Sequence, residues 1–91
     1  MYYVYFLTNK NKTVLYTGFT GNLIERIAQH KSQEVEGFTK KYNLDRLVYY
    51  EQFENVQDAK AREKAVKKWN RQWKEDLINA SNPEWNEVLV M

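Results

Sequence analysis

Residues 2–20 read YYVYFLTNKNKTVLYTGFT, and this stretch decides the fold. Tyr3, Tyr5 and Leu7 alternate with Tyr2, Val4 and Phe6, a period of two rich in aromatic side chains, which predicts a β-strand. Asn9-Lys10-Asn11-Lys12 is a polar turn, and Thr13 to Gly18 reads as a second strand. A four-residue loop places Thr8 opposite Thr13 in an antiparallel hairpin. The same register sets Tyr5 opposite Tyr16, so both phenols project from one face. A one-residue slip would put them on opposite faces.

Outward from the hairpin, Gly18, Thr20, Gly21 and Asn22 break the strand. Asn22 followed by Glu25 resembles a capping box, opening a helix of about three turns through Lys31. Its expected apolar stripe is Leu23, Ile24, Ile27 and Ala28, with Arg26 and His30 one turn apart on the flank. Ser32 to Asn43 is polar, contains Gly37 and reads as a loop, within which Phe38-Thr39-Lys40-Lys41-Tyr42 mixes aromatic and basic residues. Arg46 to Phe53 is a third strand. Asn55 caps a long helix from Val56 toward Trp69 that continues or kinks near Asn70 toward Ala80. Ideal geometry puts Val56, Ala59, Glu63, Val66, Asn70, Trp73 and Leu77 on one stripe, with Trp73 in the core and Trp69 off it. Ser81-Asn82-Pro83 ends the helix, and Trp85 packs back on the body. The expectation is an α+β fold of the order β-β-α-β-α-α, a small three-stranded antiparallel sheet flanked by helices.

Composition narrows the function classes. The 91 residues fit one domain, 1–91. With no cysteine, thiol chemistry, cysteine-bound zinc and iron–sulfur clusters are excluded. The N-terminus lacks the basic start and apolar run of a signal peptide. No stretch approaches the roughly 20 apolar residues of a membrane span, so a cytoplasmic protein with no membrane partner is expected. Net charge is only +2, but Lys60 to Lys74 holds seven basic side chains against one acidic, Glu63. Such a concentration is either a solvated helix face or a phosphate-facing surface.

Glu63 is the most informative single position, because the predicted stripe carries it toward the core. A core-facing carboxylate is costly without a cation or several donors. It is either a divalent-metal ligand completed by water and phosphate or half of a Glu63–Lys67 pair at helical spacing, the commoner arrangement. Most strand tyrosines are simply core. A phenol with a pKa of about 10 is a poor base at neutral pH unless a nearby cation stabilises the phenolate or the phenol only orients water. Tyr5 and Tyr16 side by side with an arginine nearby meet that requirement.

These residues, in this order, resemble the GIY-YIG nuclease family, specifically its short stand-alone bacterial members. The resemblance rests on Tyr3-Val4-Tyr5, then Tyr16-Thr17-Gly18, then Thr20, Leu23, Arg26 and His30. It continues through Ala61-Arg62-Glu63-Lys64 and closes on Asn82-Pro83-Glu84-Trp85. Tyr3 stands where the family has glycine and Thr17 where it has isoleucine; neither change removes a reacting group. The resemblance implies a GIY-YIG-like fold in which Tyr5 and Tyr16 position or deprotonate the attacking water. Arg26 then contacts the scissile phosphate, and His30 assists a tyrosine. Glu63 holds one Mg2+ or Mn2+, while Gly18 and Asn82 are structural positions near the site.

The expected function is therefore metal-dependent endonucleolytic hydrolysis of DNA by a monomer. Lys40, Lys41, Lys60, Lys64, Lys67, Lys68 and Arg71 would hold the backbone, giving affinity with little sequence specificity. That profile suits structure-selective or partner-directed cleavage, as in DNA repair or recombination. The alternatives are a nucleic-acid-binding module without nuclease activity and an interaction module presenting Trp69, Trp73 and Trp85.

Overall fold

A computed structural model describes residues 1–33 and 37–90. Strands β1 (Tyr2–Thr8), β2 (Leu15–Thr20) and β3 (Arg46–Phe53) form one antiparallel sheet in the order β2-β1-β3. Helix α1 (Leu23–Lys31) and a single helical turn, α2 (Phe38–Lys41), lie between β2 and β3; α3 (Val56–Lys67) and α4 (Arg71–Ser81) follow. This is the expected three-stranded sheet flanked by helices, with one added turn. Residues 34–36 of the predicted loop lie outside the described residues, and part of the remainder is α2.

The hairpin register differs from the expected one by two residues: Tyr5 pairs with Gly18, Leu7 with Tyr16 and Thr8 with Leu15. The cause is Asn9. Its Oδ1 accepts from the Thr13 and Val14 amides at 2.8 and 3.4 Å, and its Nδ2 donates to Thr13 Oγ1 at 2.7 Å. The Asn9 side chain thus holds Thr13 and Val14 in the turn and delays the start of β2, as Asn does where its amide replaces backbone pairing. Because the slip is even, every side chain keeps its face.

Alternation along β1 splits the core in two. Tyr5 and Leu7 pack with Leu23, Leu44 and Leu47 on one face, joined by Val88 and Val90 of the C-terminal tail. Phe6 packs with Val48, Val66, Ile78 and Trp85 on the other. A bulge at Phe6/Leu7 brings both Val48 and Tyr49 to the Phe6 side. In α1 the inward residues are Leu23, Ile27 and His30, spaced i, i+4, i+7, while Ile24 and Ala28 face solvent. The expected stripe is therefore rotated, and His30 belongs to it. Asn22 Oδ1 caps α1 by accepting from the Glu25 amide at 3.1 Å.

Of the two expectations near Asn70, continuation or a kink, the chain takes a full break, giving the two final helices of the expected order. Asn55 caps α3 through the Asp58 amide, and Asn70 caps α4 through the Trp73 amide. Asn70 was read as a stripe position, but its side chain competes for a backbone donor and ends the first helix. The break changes the phase of α4. Trp73 is 56 % exposed, contrary to the core position expected for it, and Trp69 packs on the Phe6 cluster instead.

Arg62 also leaves the charged face. Its Nε and Nη2 donate to Glu51 Oε1 and Oε2 at 2.8 and 3.0 Å, and Tyr49 Oη donates to Glu51 Oε2 at 2.6 Å. The guanidinium lies 5.0 Å from the Trp69 ring centroid. Burial pushes the Glu51 carboxyl up, but the Arg62 and Tyr49 hydrogen bonds outweigh it and the group ends below its ordinary value. A lowered carboxylate pKa contributes stability that is present above the unfolded-chain value and is lost as pH falls through the folded one. Glu51→Gln should lower unfolding free energy at pH 7 by about 1–3 kcal/mol. In urea titrations the gap to wild type should narrow steadily as the pH is taken below 4.5.

Candidate active site

The site is built where β1, β2 and α1 meet. Tyr5 is fully buried, and its ring lies across the backbone of Gly18 on the neighbouring strand. A Cβ on Gly18 would fall 2.4 Å from Tyr5 Cζ, 2.5 Å from Tyr5 Oη and 2.9 Å from Tyr16 Cε2. Only an absent side chain permits that approach. Tyr16, two residues before Gly18 and so on the same face, sets its ring centroid 6.3 Å from that of Tyr5. Helix α1 supplies the third ring: His30 lies 6.0 Å from each phenol ring, and its Nε2 is 3.2 Å from Tyr5 Oη.

His30 is buried, and its Nδ1 has no partner among the described residues. Burial, then the charge of Arg26, lowers its pKa below the ordinary 6.5, so the ring is neutral at pH 7. Of the two neutral forms, protonation at Nδ1 would bury an unsatisfied donor. Protonation at Nε2 leaves Nδ1 as an unsatisfied acceptor and also takes from the Tyr5 O–H its acceptor on His30. The donor in the Tyr5–His30 hydrogen bond therefore follows the imidazole tautomer. Arg26, half-buried one turn earlier on α1, reaches the same phenol.

Charges from several elements act on Tyr5. Burial, the Tyr16 phenol and Glu63 push its pKa well above the ordinary tyrosine value, and the Arg26 guanidinium opposes them. The ranking puts desolvation first, so Tyr5 is a neutral phenol at neutral pH. Glu63 belongs to α3, which packs on the opposite face of the sheet, yet its charge is felt at Tyr5. Strand β2 is the sheet edge, and at Gly18 it carries no side chain to separate the two faces. Glu63 is half-buried, and Lys67 Nζ holds its Oε2 at 3.0 Å, so the bland pairing weighed from sequence is present.

Among the described residues, no three His, Cys, Asp or Glu side chains gather as a metal-binding set. A divalent ion here would have Glu63 as its single protein ligand. That donor set fits magnesium or manganese, which retain waters and accept phosphate oxygens. It does not fit a site requiring several protein ligands, such as structural zinc.

The other residues named from sequence are spread more widely. Lys64 and Lys68 lie exposed on or just after α3, with Lys60 Nζ 5.6 Å from the Phe19 ring centroid and Lys67 on Glu63. Lys40 and Lys41 lie on α2, Lys41 5.4 Å from the Tyr42 ring centroid. Arg71 is engaged elsewhere. Its guanidinium donates to the Thr13 and Lys12 carbonyls at 2.7 and 3.0 Å and pairs with Glu75, tying α4 to the β1–β2 turn. Asn82 is a staple at the far edge of the sheet: its Nδ2 donates to the carbonyls of Val48 and Asn86, and its Oδ1 accepts from the Asn86 amide. From sequence, Lys40 and Lys41 were given to backbone binding, but Phe38 and Tyr42 were given no role at the site, although the Phe38 ring stacks on Tyr16.

Residues 1–76 match the GIY-YIG catalytic domain. The chain belongs to the GIY-YIG family. It is 40 % identical over 82 residues to a UPF0213 protein of Clostridium perfringens, covering 90 % of this chain and 87 % of that one. A UPF0213 protein of Pediococcus acidilactici is 41 % identical over 91 residues, covering 98 % and 87 %. The solution NMR structure of a UPF0213 protein from Bacillus halodurans has a TM-score of 0.59 at 31 % identity, covering 93 % of this chain and 90 % of that one. The family's catalytic domain is a nuclease fold that engages DNA, and its nucleases typically use divalent metals. No helix among the described residues is long and apolar enough to cross a membrane.

Two outcomes test this geometry. Gly18→Ala should destabilise the protein by about 1–3 kcal/mol, because the ring it strikes is held in a packed core; thermal and urea unfolding measure it. His30, the single histidine, should titrate below 6.5 by NMR. Its pKa should move up in Arg26→Gln, where a repelling cation has been removed. An unchanged value would detach Arg26 from His30.

Proposed function

We propose that this chain is a divalent-metal-dependent endonuclease that hydrolyses DNA phosphodiester bonds, with residues 1–91 acting as one nuclease domain. The observation that carries the reading is the convergence on Tyr5 of Tyr16, His30, Arg26 and Glu63 from three different elements. Arg26 is the permanently charged planar donor suited to a phosphate whose negative charge grows during attack. Tyr16 is the more accessible phenol and faces the attacking water, while buried Tyr5, held by His30, fixes the position of Tyr16 and Arg26. Glu63 would hold Mg2+ or Mn2+, which supplies charge to polarise the phosphate and stabilise the leaving oxygen. A cation on Glu63 also removes one of the negative charges that disfavour ionised phenols at the site.

Exposed Lys64 and Lys68 on the α3 side and Lys41 on α2 provide backbone contacts that carry no sequence information. We therefore read the enzyme as structure-selective or directed by a protein partner. A cytoplasmic monomer in DNA repair or recombination is the setting that suits this reading. A DNA-binding module without activity is the second reading, favoured by the Lys67–Glu63 pair, which already satisfies part of the carboxylate.

Cleavage of nicked, branched and single-stranded DNA with magnesium or manganese separates the two. Wild type should cut, EDTA should stop it, and Glu63→Ala and Arg26→Ala should each lower the rate by at least about 100-fold, the size typical of losing one charge-stabilising group. Glu63→Ala should keep its DNA affinity. Normal cutting by Glu63→Ala would remove the metal assignment, and binding without cutting on every substrate would leave the module.

A further inference from the structure

From the site phenol Tyr16 a line of aromatic rings leads outward through Phe38 and Tyr42, to which the proposed reaction gives no role. Tyr16 and Phe38 stack at 6.5 Å between centroids and 28° between planes; Phe38 and Tyr42 follow at 4.7 Å, and Lys41 Nζ lies over Tyr42. Phe38 is 49 % exposed and Tyr42 39 % exposed. Isolated exposed aromatics are ordinary, but here one is stacked on a site phenol and the second packs against the first.

The backbone arranges this exposure. Gly37, at φ +98, turns the chain into α2 in a conformation that other residues rarely adopt. Thr39 and Leu44 then face inward and are almost fully buried, with the Leu44 amide donating to the Thr39 carbonyl at 2.9 Å. The turn is thus anchored by Thr39 and Leu44. The core does not need Phe38 or Tyr42, and both side chains keep a large exposed surface.

We propose that Phe38 and Tyr42, with Lys41, form a stacking platform for an unpaired nucleobase next to the phosphate bound at Tyr16 and Arg26. This rests on the nuclease reading and narrows its substrate to DNA with a single-stranded stretch at the cut. A base inside a duplex has both faces covered by its neighbours and cannot lie on a protein ring without leaving the stack. An unpaired base offers a free face, and aromatic side chains combined with cations bind such bases irrespective of sequence. The platform continues directly from the site, so a strand whose phosphate sits at Tyr16 presents its neighbouring base to Phe38. The Trp69–Trp73 pair, of which Trp73 is exposed, adjoins the structural Arg62–Glu51 pair and not the phenols of the site.

Binding in EDTA tests this without cleavage. The probe is a short DNA strand carrying one fluorescent aminopurine, used alone and annealed to its complement. Wild type should quench the single strand and bind it more tightly than the duplex. Phe38→Ala should abolish the quenching and weaken single-strand binding by roughly 5- to 140-fold, the size of one lost base–aromatic stack. Duplex affinity should stay unchanged, Phe38→Trp should restore quenching, and Tyr42→Ala should repeat the loss if Phe38→Ala fails to fold. Unchanged quenching and affinity in the folded alanine variants would overturn the platform and leave the nuclease reading standing. Failure of wild type to bind either DNA form would overturn both. An RNA strand of the same sequence tests the sugar: tighter DNA binding supports the proposal, and tighter RNA binding overturns its assignment to DNA.

Discussion

The closeness of the Tyr5 ring to the bare backbone of Gly18 is the constraint on which the site depends. Gly18 is not required by its own dihedral angles, since Gly37 is the glycine described with a positive φ. It is required because the space a methyl group would take is already filled by the phenol. With the phenol end over Gly18, Tyr5 Oη meets His30, and Tyr16 sits diagonally beside it. A side chain at position 18 would lift the phenol, and the hydrogen bond to His30 would lengthen with it. The glycine thus acts by emptiness rather than flexibility, a distinction that matters for how it could be replaced. Serine would be little better than alanine, because the offending atom is the first carbon of any side chain.

How much of this could be read from the residues follows from which interactions are local. The alternation over Tyr2 to Thr8 is local, and it fixed the faces of Tyr5 and Tyr16 even though the pairing was off by two. An even error is harmless to any question about faces and harmful to any question about partners. The Tyr5–Gly18 contact was therefore invisible, while the shared face of the phenols was not. The Asn55 and Asn22 caps were legible for the same local reason. Asn70 was harder, since the same residue fits a helix stripe or a cap. The choice depends on whether Trp69 can pack on the Phe6 cluster, a contact made across the sheet. The exchanged roles of Trp69 and Trp73 follow from that one break.

The charge pattern was legible as a composition and not as a surface. Of the basic residues from Lys60 to Lys74, Arg62 is drawn to Glu51, Lys67 to Glu63 and Arg71 to two backbone carbonyls. Nothing in their spacing separates the arginines that build the fold from the lysines that face outward. The chemistry of the side chains does. Arginine's planar fork suits a carboxylate or a pair of carbonyls at fixed positions, and both arginines are used that way. Lysine's single ammonium on a flexible stem is better suited to a mobile phosphate backbone at the surface.

A three-stranded sheet has few interior positions, and this one places the buried Tyr5 phenol beside an edge strand. That location carries a cost, because Tyr5 and His30 occupy core volume that Leu or Phe could fill without an unpaired Nδ1. It also has a use. At an edge strand, groups on the two faces of a sheet can act on one another around the strand, whereas an interior strand would hold them a sheet's thickness apart. Helix α1 brings the guanidinium and imidazole to one face, and α3 brings the carboxylate from the other. The phenol between them feels opposite charges from the two sides. Burial is the largest influence on its ionisation, and Arg26 and Glu63 adjust it from two helices that need not touch. A cation or anion arriving at this edge would act on the same phenol without moving the backbone.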